Sequence, residues 1–440
     1  MDKSIINANP TKNFFISMLV RDIPLVDAIA DLVDNSVDGA TRLKGKDTDY
    51  SGLHIDLRFD KDKFEIIDNC GGFSTEIAAK YAFRFGRPEE AENDFDYSIG
   101  RFGVGMKRAL FKIGNFFTVS STCDQSDFKV TVDVNDWKRD KSNDWQFKFS
   151  ESQETPSSQN FGTSIIITNL HQEVSELFTQ ADFINVLKKE LKASYEKKLE
   201  RKLTISINGE QLEYTPSVLL ISDTIKPAFQ EINLENGINA KIYVGISEKG
   251  SPKKAGWYVY CNDRLVLEAD QTAVTGWGDG LPMSHNRFAR FRGYVFINSE
   301  DTNLLPWNTT KNGVDQDSLI YRGIRLEMIK MGKSVITFLN DLVKENIEDD
   351  DQEELVDVSL TDEINKAEPE NVSLITPSEL KIGFQAPRLK KVRKPQDNQK
   401  IQYSKPATEI SKVKEALNVS TLKEVGEKTF EYFYKLECED

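Results

Sequence analysis

The sequence predicts an α+β protein with an N-terminal α/β sandwich, a second α/β domain and a small helical tail. Three observations carry that expectation. A long amphipathic helix over residues 24–43 runs into two strand-like segments, 54–59 and 64–67. A second helix, starting near Gly103, is followed by strand-like segments at 116–121, 127–134, 145–150 and 163–168. After an amphipathic stretch at 181–201, strands and helices begin again. Helix, strands, helix, strands in this order suits a mixed sheet with helices on one face. A chain of 440 residues holds two or three such domains.

Each element has a local reason. Pro24 suits the first turn of a helix, and Leu25, Ile29, Leu32, Val33 and Val37 form an apolar stripe at helical spacing. Gly39 begins to loosen its end. His54 to Phe59 alternates as a half-buried strand does, and Phe64 to Ile67 runs straight into Asp68. A short helix is expected from Thr75 to about Phe85, and residues 86–99 are polar, acidic and irregular, as a mobile segment is. Residues 151–161 read as a loop. Phe183, Val186, Leu187, Leu191, Tyr195 and Leu199 share one side of the helix expected at 181–201. Leu203 to Ile207 then opens the second domain, with Asn208-Gly209 as a hairpin turn. Strands at 239–246, 256–261 and 292–298 and helices within 315–345 complete it. The boundaries so drawn are 1–175, 176–346, an acidic then basic linker at 347–407, and a helical tail at 408–440.

Composition narrows the function. The net charge is −14, so a nucleic-acid contact has to come from a local patch. The four cysteines (Cys70, Cys123, Cys261, Cys438) contain no C-x-x-C pair, and the three histidines form no cluster with zinc spacing. Reduced thiols, no apolar leader at the N-terminus and no apolar run near the ~20 residues that span a bilayer point to a soluble cytoplasmic protein without a membrane partner.

The chemistry concentrates near the N-terminus. Asp31 and Asn35 lie four residues apart, hence on one face of a helix. A carboxylate beside an amide oxygen can activate water and hold a magnesium ion. Asp68-Asn69-Cys70-Gly71-Gly72-Phe73 ends a strand with a carboxylate able to accept from an exocyclic amine. Gly100-Arg101-Phe102-Gly103-Val104-Gly105 leaves backbone N–H groups free to approach phosphate, with Arg101 and Lys107 adding charge. Gly162-Thr163 opens a strand where a hydroxyl can complete an adenine contact. A Walker A loop is excluded, because Met106 separates Gly105 from Lys107 and no hydroxyl follows.

Taken together over residues 14–170, these motifs resemble the nucleotide site of the GHKL ATPases, whose ATP domain is the Bergerat α/β sandwich. The resemblance implies ATP and Mg2+ as ligands. It makes Asp31 the catalytic base, Asn35 the magnesium ligand and Asp68 the adenine reader. It also places Asp38, Gly72, Gly100, Arg101, Phe102, Gly103, Val104, Gly105, Lys107 and Thr163 at the nucleotide. Two departures stand out: the family's basic Glu is Asp31 here, one methylene shorter, and the first Gly of its Asp-x-Gly-x-Gly motif is Cys70. The first implies a slow enzyme, since a misplacement of ~1 Å can cost about a hundredfold in rate; the second is expected to leave binding intact.

Further on, Tyr258 to Val266 resembles the strand and Asn-x-Arg-Leu turn of MORC and MutL transducer domains. Trp307 to Gly313 resembles the transducer loop that brings a lysine, here Lys311, to the γ-phosphate. No histidine precedes the first long helix, which argues against a histidine kinase. The resemblance therefore implies a MORC-like or heat-shock-chaperone-like hydrolase in which ATP closes a homodimer, with the segment up to Arg21 crossing to the partner. Two alternatives stay open: a nucleotide-gated binding protein with little turnover, and a DNA-engaging clamp in a genome or phage defence system. The basic cluster of Arg388, Lys390, Lys391, Arg393 and Lys394 suits either phosphate contact or a solvated linker. In the tail, Val413, Leu417, Leu422, Val425, Phe430 and Phe433 suggest two short helices, the second capped by Ser420, which dimerise or bind a protein partner.

Overall fold

The computed structural model describes residues 10–85, 99, 103–140, 145–346, 354–356, 359–388, 391–393 and 401–438. The chain divides into two compact units, Met1–Asp349 with Val358–Leu389, and Asp350–Asp357 with Lys390–Asp440.

In the first unit, α1 (Lys12–Arg21) and α2 (Leu25–Lys44) precede β1 (His54–Phe59) and β2 (Lys63–Asp68). A single helical turn, α3 (Thr75–Ile77), continues into a π-turn at Ala78–Ala82. Then come α4 (Gly105–Ile113), β3 (Gly114–Thr122), β4 (Asp127–Asp133), α5 (Val134–Arg139), β5 (Phe149–Gln153) and β6 (Gly162–Leu170). After α6 (Gln172–Phe178), α7 (Ala181–Ser194) and α8 (Glu196–Glu200), the chain returns as β7 (Thr204–Ile207) and β8 (Glu210–Gln211). These strands make one sheet ordered β5-β4-β3-β6-β2-β1-β7-β8. Its pairs are antiparallel except β1 with β7.

The period-2 burial of β1 and β2 and the stripe on α2 meet in one core. Ile29, Leu32 and Val33 pack with Leu110 and Ile113 of α4 and with Ile55, Ile66, Phe117 and Ile167 of the sheet. This is the α/β sandwich that the sequence predicts. Three local expectations change. Leu203 to Ile207 does not open the second domain; β7 completes the first sheet beside β1, although Asn208 (φ 49°) and Gly209 (φ 84°) do form the expected turn. The helix expected at 181–201 breaks at Tyr195, whose φ and ψ of −111° and 19° are not helical. The strand expected at 145–150 begins only at Phe149 and runs on to Gln153, into residues expected as loop, because Asp127 to Val130 supply a partner edge.

A second sheet follows β9 (Val218–Ile221) and is built from β10 (Ala228–Asn233), β11 (Asn239–Ile246), β12 (Gly256–Cys261), β13 (Arg264–Asp270) and β14 (Phe291–Asn298). Its order is β10-β11-β14-β12-β13. The long helix α9 (Leu319–Asn346) covers it, burying Met328, Met331, Val335 and Leu339. Trp257 is fully buried where Gly293 leaves room; a Cβ at Gly293 would lie 2.2 Å from its ring.

The stretch expected as linker contains regular elements among its described residues. β15 (Glu354–Val356) pairs with β17 (Lys391–Arg393), while α10 (Leu360–Lys366) and β16 (Glu368–Asn371) fold back on the first unit, β16 pairing with β9. Leu360 and Ile364 are buried there, which acidic composition concealed. In the tail, α11 (Ala407–Leu417) and α12 (Leu422–Glu437) form the two expected helices. The cap of α12 is Thr421, not Ser420: Thr421 and Glu424 make a reciprocal capping box.

Substituting Gly293→Ala forces the Trp257 ring aside. It is expected to destabilise the chain by about 1–3 kcal/mol, read as a lower midpoint in urea unfolding.

Candidate nucleotide site

The site forms where α2, the end of β2, the start of α4 and the start of β6 converge. An open cavity of about 1280 Å³, counted with the solvent space at its mouth, is lined by Asp31, Asn35, Asp38, Asp68, Gly72, Gly103, Val104, Gly105, Lys107, Thr163 and Lys311. Residues more than 270 positions apart in sequence thus share one wall. Gly100, Arg101 and Phe102 lie outside the described residues.

Asp68 forms the deep end. Ser36 Oγ donates to its Oδ2 at 2.6 Å, and the backbone N–H groups of Cys70 and Thr163 donate to its Oδ1 at 2.9 and 3.2 Å. A carboxylate has about four acceptor positions, so three protein donors leave room for one more from the cavity. Burial pushes the Asp68 pKa up, and the Ser36, Cys70 and Thr163 hydrogen bonds only partly offset it. Glycines create this closeness. A Cβ at Gly162 would lie 1.9 Å from the Asp68 carbonyl oxygen, and one at Gly72 2.2 Å from that of Thr122. The left-handed backbone sits at Gly71 (φ 90°) and Gly72 (φ 61°). Cys70 needs no such conformation and is buried in the core, which explains how a side chain replaces glycine there.

Asn35 is exposed on α2 and lines the cavity, with no protein hydrogen-bond partner among the described residues. An amide oxygen on the wall, supplemented by water and phosphate oxygens, fits the way proteins hold Mg2+. Asp38 instead accepts from the backbone N–H of Ile99 at 2.7 Å. At the opposite wall α4 begins without a side-chain cap at Val104, so its first N–H groups are available to an anion. Lys107 is buried, and its ammonium donates to the carbonyls of Ala82, at 2.8 Å, and of Gly103. It ties the π-turn to the base of α4.

The remaining charged residues form a buried cluster. Asp31 accepts from Arg108 Nη2 at 2.6 Å through Oδ2 and from Lys311 Nζ at 3.2 Å through Oδ1. Lys311 also donates to Asp34 Oδ2 at 2.7 Å, and Tyr195 donates to Asp34 Oδ1 at 2.6 Å. Arg264 Nε lies 3.1 Å from Asp34 Oδ1, but not aligned for a hydrogen bond, and its Nη1 is buried without an acceptor. Burial alone would lower the pKa of Lys311; the Asp34 and Asp31 carboxylates outweigh it and raise it. Burial likewise works against an ionised Asp34, and Arg264 and Lys311 reverse it, so its pKa falls below the usual 3.8.

Both cations come from the second sheet's loops. Lys311 is presented with φ 57° in the loop closed by the Trp307–Val314 bridge. Arg264 follows a hairpin turn in which Asn262 and Asp263 both have positive φ. Asn262 is fixed by Ser299, and Asp263 by Arg201 at 2.6 Å.

Residues 23–168 match the family model of histidine kinase-, DNA gyrase B- and HSP90-like ATPases. This segment belongs to that family. The GHKL domain is thus an ATP-binding type, and it accounts for the wall made by α2, Asp68, α4 and Thr163. The family match does not distinguish the MORC or MutL subtype. No curated protein matches the chain.

Sequence reasoning missed Ser36, Asp34, Arg108 and Tyr195 as participants. Asp34 was legible in part, being three residues from Asp31 and so on its face of the helix. Ser36 gave no periodic signal, and Tyr195 looked like part of an unbroken apolar stripe.

Asp263 gives a pH test of the hairpin that aims Arg264. Burial raises its pKa, but Lys198, Arg201 and Lys46 overcome this and hold it at about 2, against the usual 3.8. The unfolded chain therefore takes up the proton first as pH falls. A contribution on the order of 2 kcal/mol is present above pH 4 and is lost on descending towards pH 2. Wild-type stability is expected to fall across that window, and Asp263→Asn to lose the slope, in urea melts at stepped pH.

Proposed function

We propose that this chain is a slow, Mg-dependent ATPase whose nucleotide binding closes a homodimer, in the manner of a MORC-like clamp or switch. The observation that carries the reading is Lys311. A lysine from the second sheet's loop stands in the wall of the GHKL cavity, on the carboxylate that the family uses as its base position.

In this reading Asp68 accepts the exocyclic amine of adenine, with Ser36, Cys70 and Thr163 holding its carboxylate in place. The N-terminal N–H groups of α4 and the glycines before it receive the phosphates. Asn35 holds Mg2+, which supplies charge neutralisation to the phosphates. Asp31 orients or deprotonates water, and Lys311 stabilises charge on the transferring phosphoryl group.

The ion cluster supplies the switch. Lys311 has two carboxylates as its partners without nucleotide, and the γ-phosphate competes for it when nucleotide binds. Arg264 and Arg108 each carry buried donor atoms without acceptors, Nε and Nη1 on Arg264 and Nε on Arg108. They can take over the carboxylate oxygens that Lys311 leaves, so its departure strands no buried charge. Movement of Lys311 carries the loop and the second sheet with it, which is how occupancy becomes shape.

A second reading, nucleotide-gated binding with little turnover, is favoured by one observation. Both oxygens of Asp31 are already engaged by cations, so neither is left clear to face a water. Single-turnover hydrolysis separates the two, because binding without product supports the second.

Two outcomes are expected for purified protein with ATP and Mg2+. Asp68→Ala raises the Kd for ATP about 10- to 100-fold, the loss of a charged hydrogen bond, in a binding titration. Asp31→Ala retains binding and lowers kcat by about 10²- to 10⁴-fold, measured as phosphate release. Unchanged turnover in both would overturn the ATPase reading.

A further inference from the structure

The second sheet has a basic end that the nucleotide site does not use. β11 and β14 are antiparallel with Ile246 beside Phe291, and β12 and β14 are parallel with Gly256 beside Arg292. The end of β11, the start of β12 and the start of β14 therefore lie together. The loop from 247 to 255 and the loop from 284 to 290 are brought side by side there. Ser247 N–H donates to the Arg290 carbonyl at 2.8 Å, and Ser251 N–H to that of Ala289 at 2.9 Å.

These two loops with the first strand residues carry Lys249, Lys253, Lys254, Arg287, Arg290 and Arg292, against the single acid Glu248. Lys249, Lys253, Lys254 and Arg287 are exposed, and Arg290 is half-buried. None of these cations makes an ion pair among the described residues. The nearest strand acid, Asp270, opposite Trp257, is occupied by the hydroxyls of Thr272 and Thr275. Arg292 is buried, its Nη1 donating to the Ala289 and Phe291 carbonyls, but in a chain of net charge −14 four exposed cations and the half-buried Arg290 against one acid are still a local reversal of the field.

We propose that this end of the second sheet binds the phosphate backbone of duplex DNA. The chemistry favours a duplex backbone over other polyanions. The loops expose no aromatic side chain, Phe288 and Phe291 being buried, so they offer no stacking platform for single strands. The one exposed large apolar side chain beside them is Met283, whereas an interfacial membrane anchor needs a broad apolar face. The loops do offer cations together with Ser251 and Asn286 as neutral partners for phosphate oxygens. The patch also lies at the far end of β12 from the Asn262–Asp263 turn, six residues or about 20 Å from the cation that faces Asp34. A single strand thus links the DNA-binding end to the nucleotide cluster.

The experiment is fluorescence anisotropy of a labelled duplex with the full chain, without nucleotide, from 50 to 200 mM salt. With five phosphates engaged, affinity is expected to drop about 10²- to 10³-fold over that range. The Lys249→Ala/Lys253→Ala/Lys254→Ala variant is expected to bind at least tenfold more weakly and to flatten the salt slope by about 3. Arg287→Ala should flatten it by about 1. Unchanged thermal melting and ATP binding by these variants show that the loss is local. The proposal is overturned if the duplex does not bind, if the loop variants bind as wild type does, or if substituting Arg388, Lys390 and Lys391 removes binding instead. Binding to vesicles rich in phosphatidylserine but not to the duplex would equally sink it.

Discussion

Asp34 sits without solvent exposure at the meeting of three parts of the chain, and the arrangement of the first unit depends on its being ionised there. A buried carboxylate is costly unless cations and donors surround it. Here Tyr195 comes from the break between α7 and α8, Arg264 from the β12–β13 turn and Lys311 from the loop after β14. Each of these segments is also anchored by buried apolar neighbours, Tyr195 itself, Val266 and Trp307 among them. The carboxylate gives all of them one address. It thereby adds a charged tie between the GHKL sheet and the second sheet to the apolar core that runs through both.

The substitution of Asp for Glu at position 31 also looks different beside its neighbours. Gly105 brings the first turn of α4 so close that a Cβ there would lie 3.0 Å from the Asp31 carboxyl carbon. The shorter acid and the close helix go together, and Arg108 from that helix completes the contact. The geometry at this position is a property of two elements, so a comparison of side-chain lengths alone misjudges it.

Much of the fold was readable from residue pattern. The stripe on α2, the alternation of β1 and the Asn208-Gly209 turn each carry their own physical signature. So do the polar groups of the nucleotide wall, because Asp31, Asn35, Asp68 and the glycines lie in short motifs. What stayed hidden depends on tertiary partners. Arg264 and Lys311 were visible only through resemblance, and nothing local says that they meet at Asp34. The return of residues 359–388 to the first unit was masked by acidic surroundings, since Leu360 and Ile364 are few among many charges. The place of β7 beside β1 was missed because a parallel pairing needs a crossover, which sequence spacing does not announce.

The parallel pairing of β1 with β7 bears on where the ATPase fold ends as a physical object. The family match stops at residue 168, yet the sheet runs on to Gln211 and the core draws on Leu187, Leu191 and Tyr195. A fragment cut at the family boundary would bare the long side of β1 as an open sheet edge and strip Asp34 of its tyrosine donor. Such a piece would be prone to associate through that edge. The sheet that carries the nucleotide wall therefore includes the strands reached through the α6–α8 crossover, and its border lies some forty residues beyond the family match.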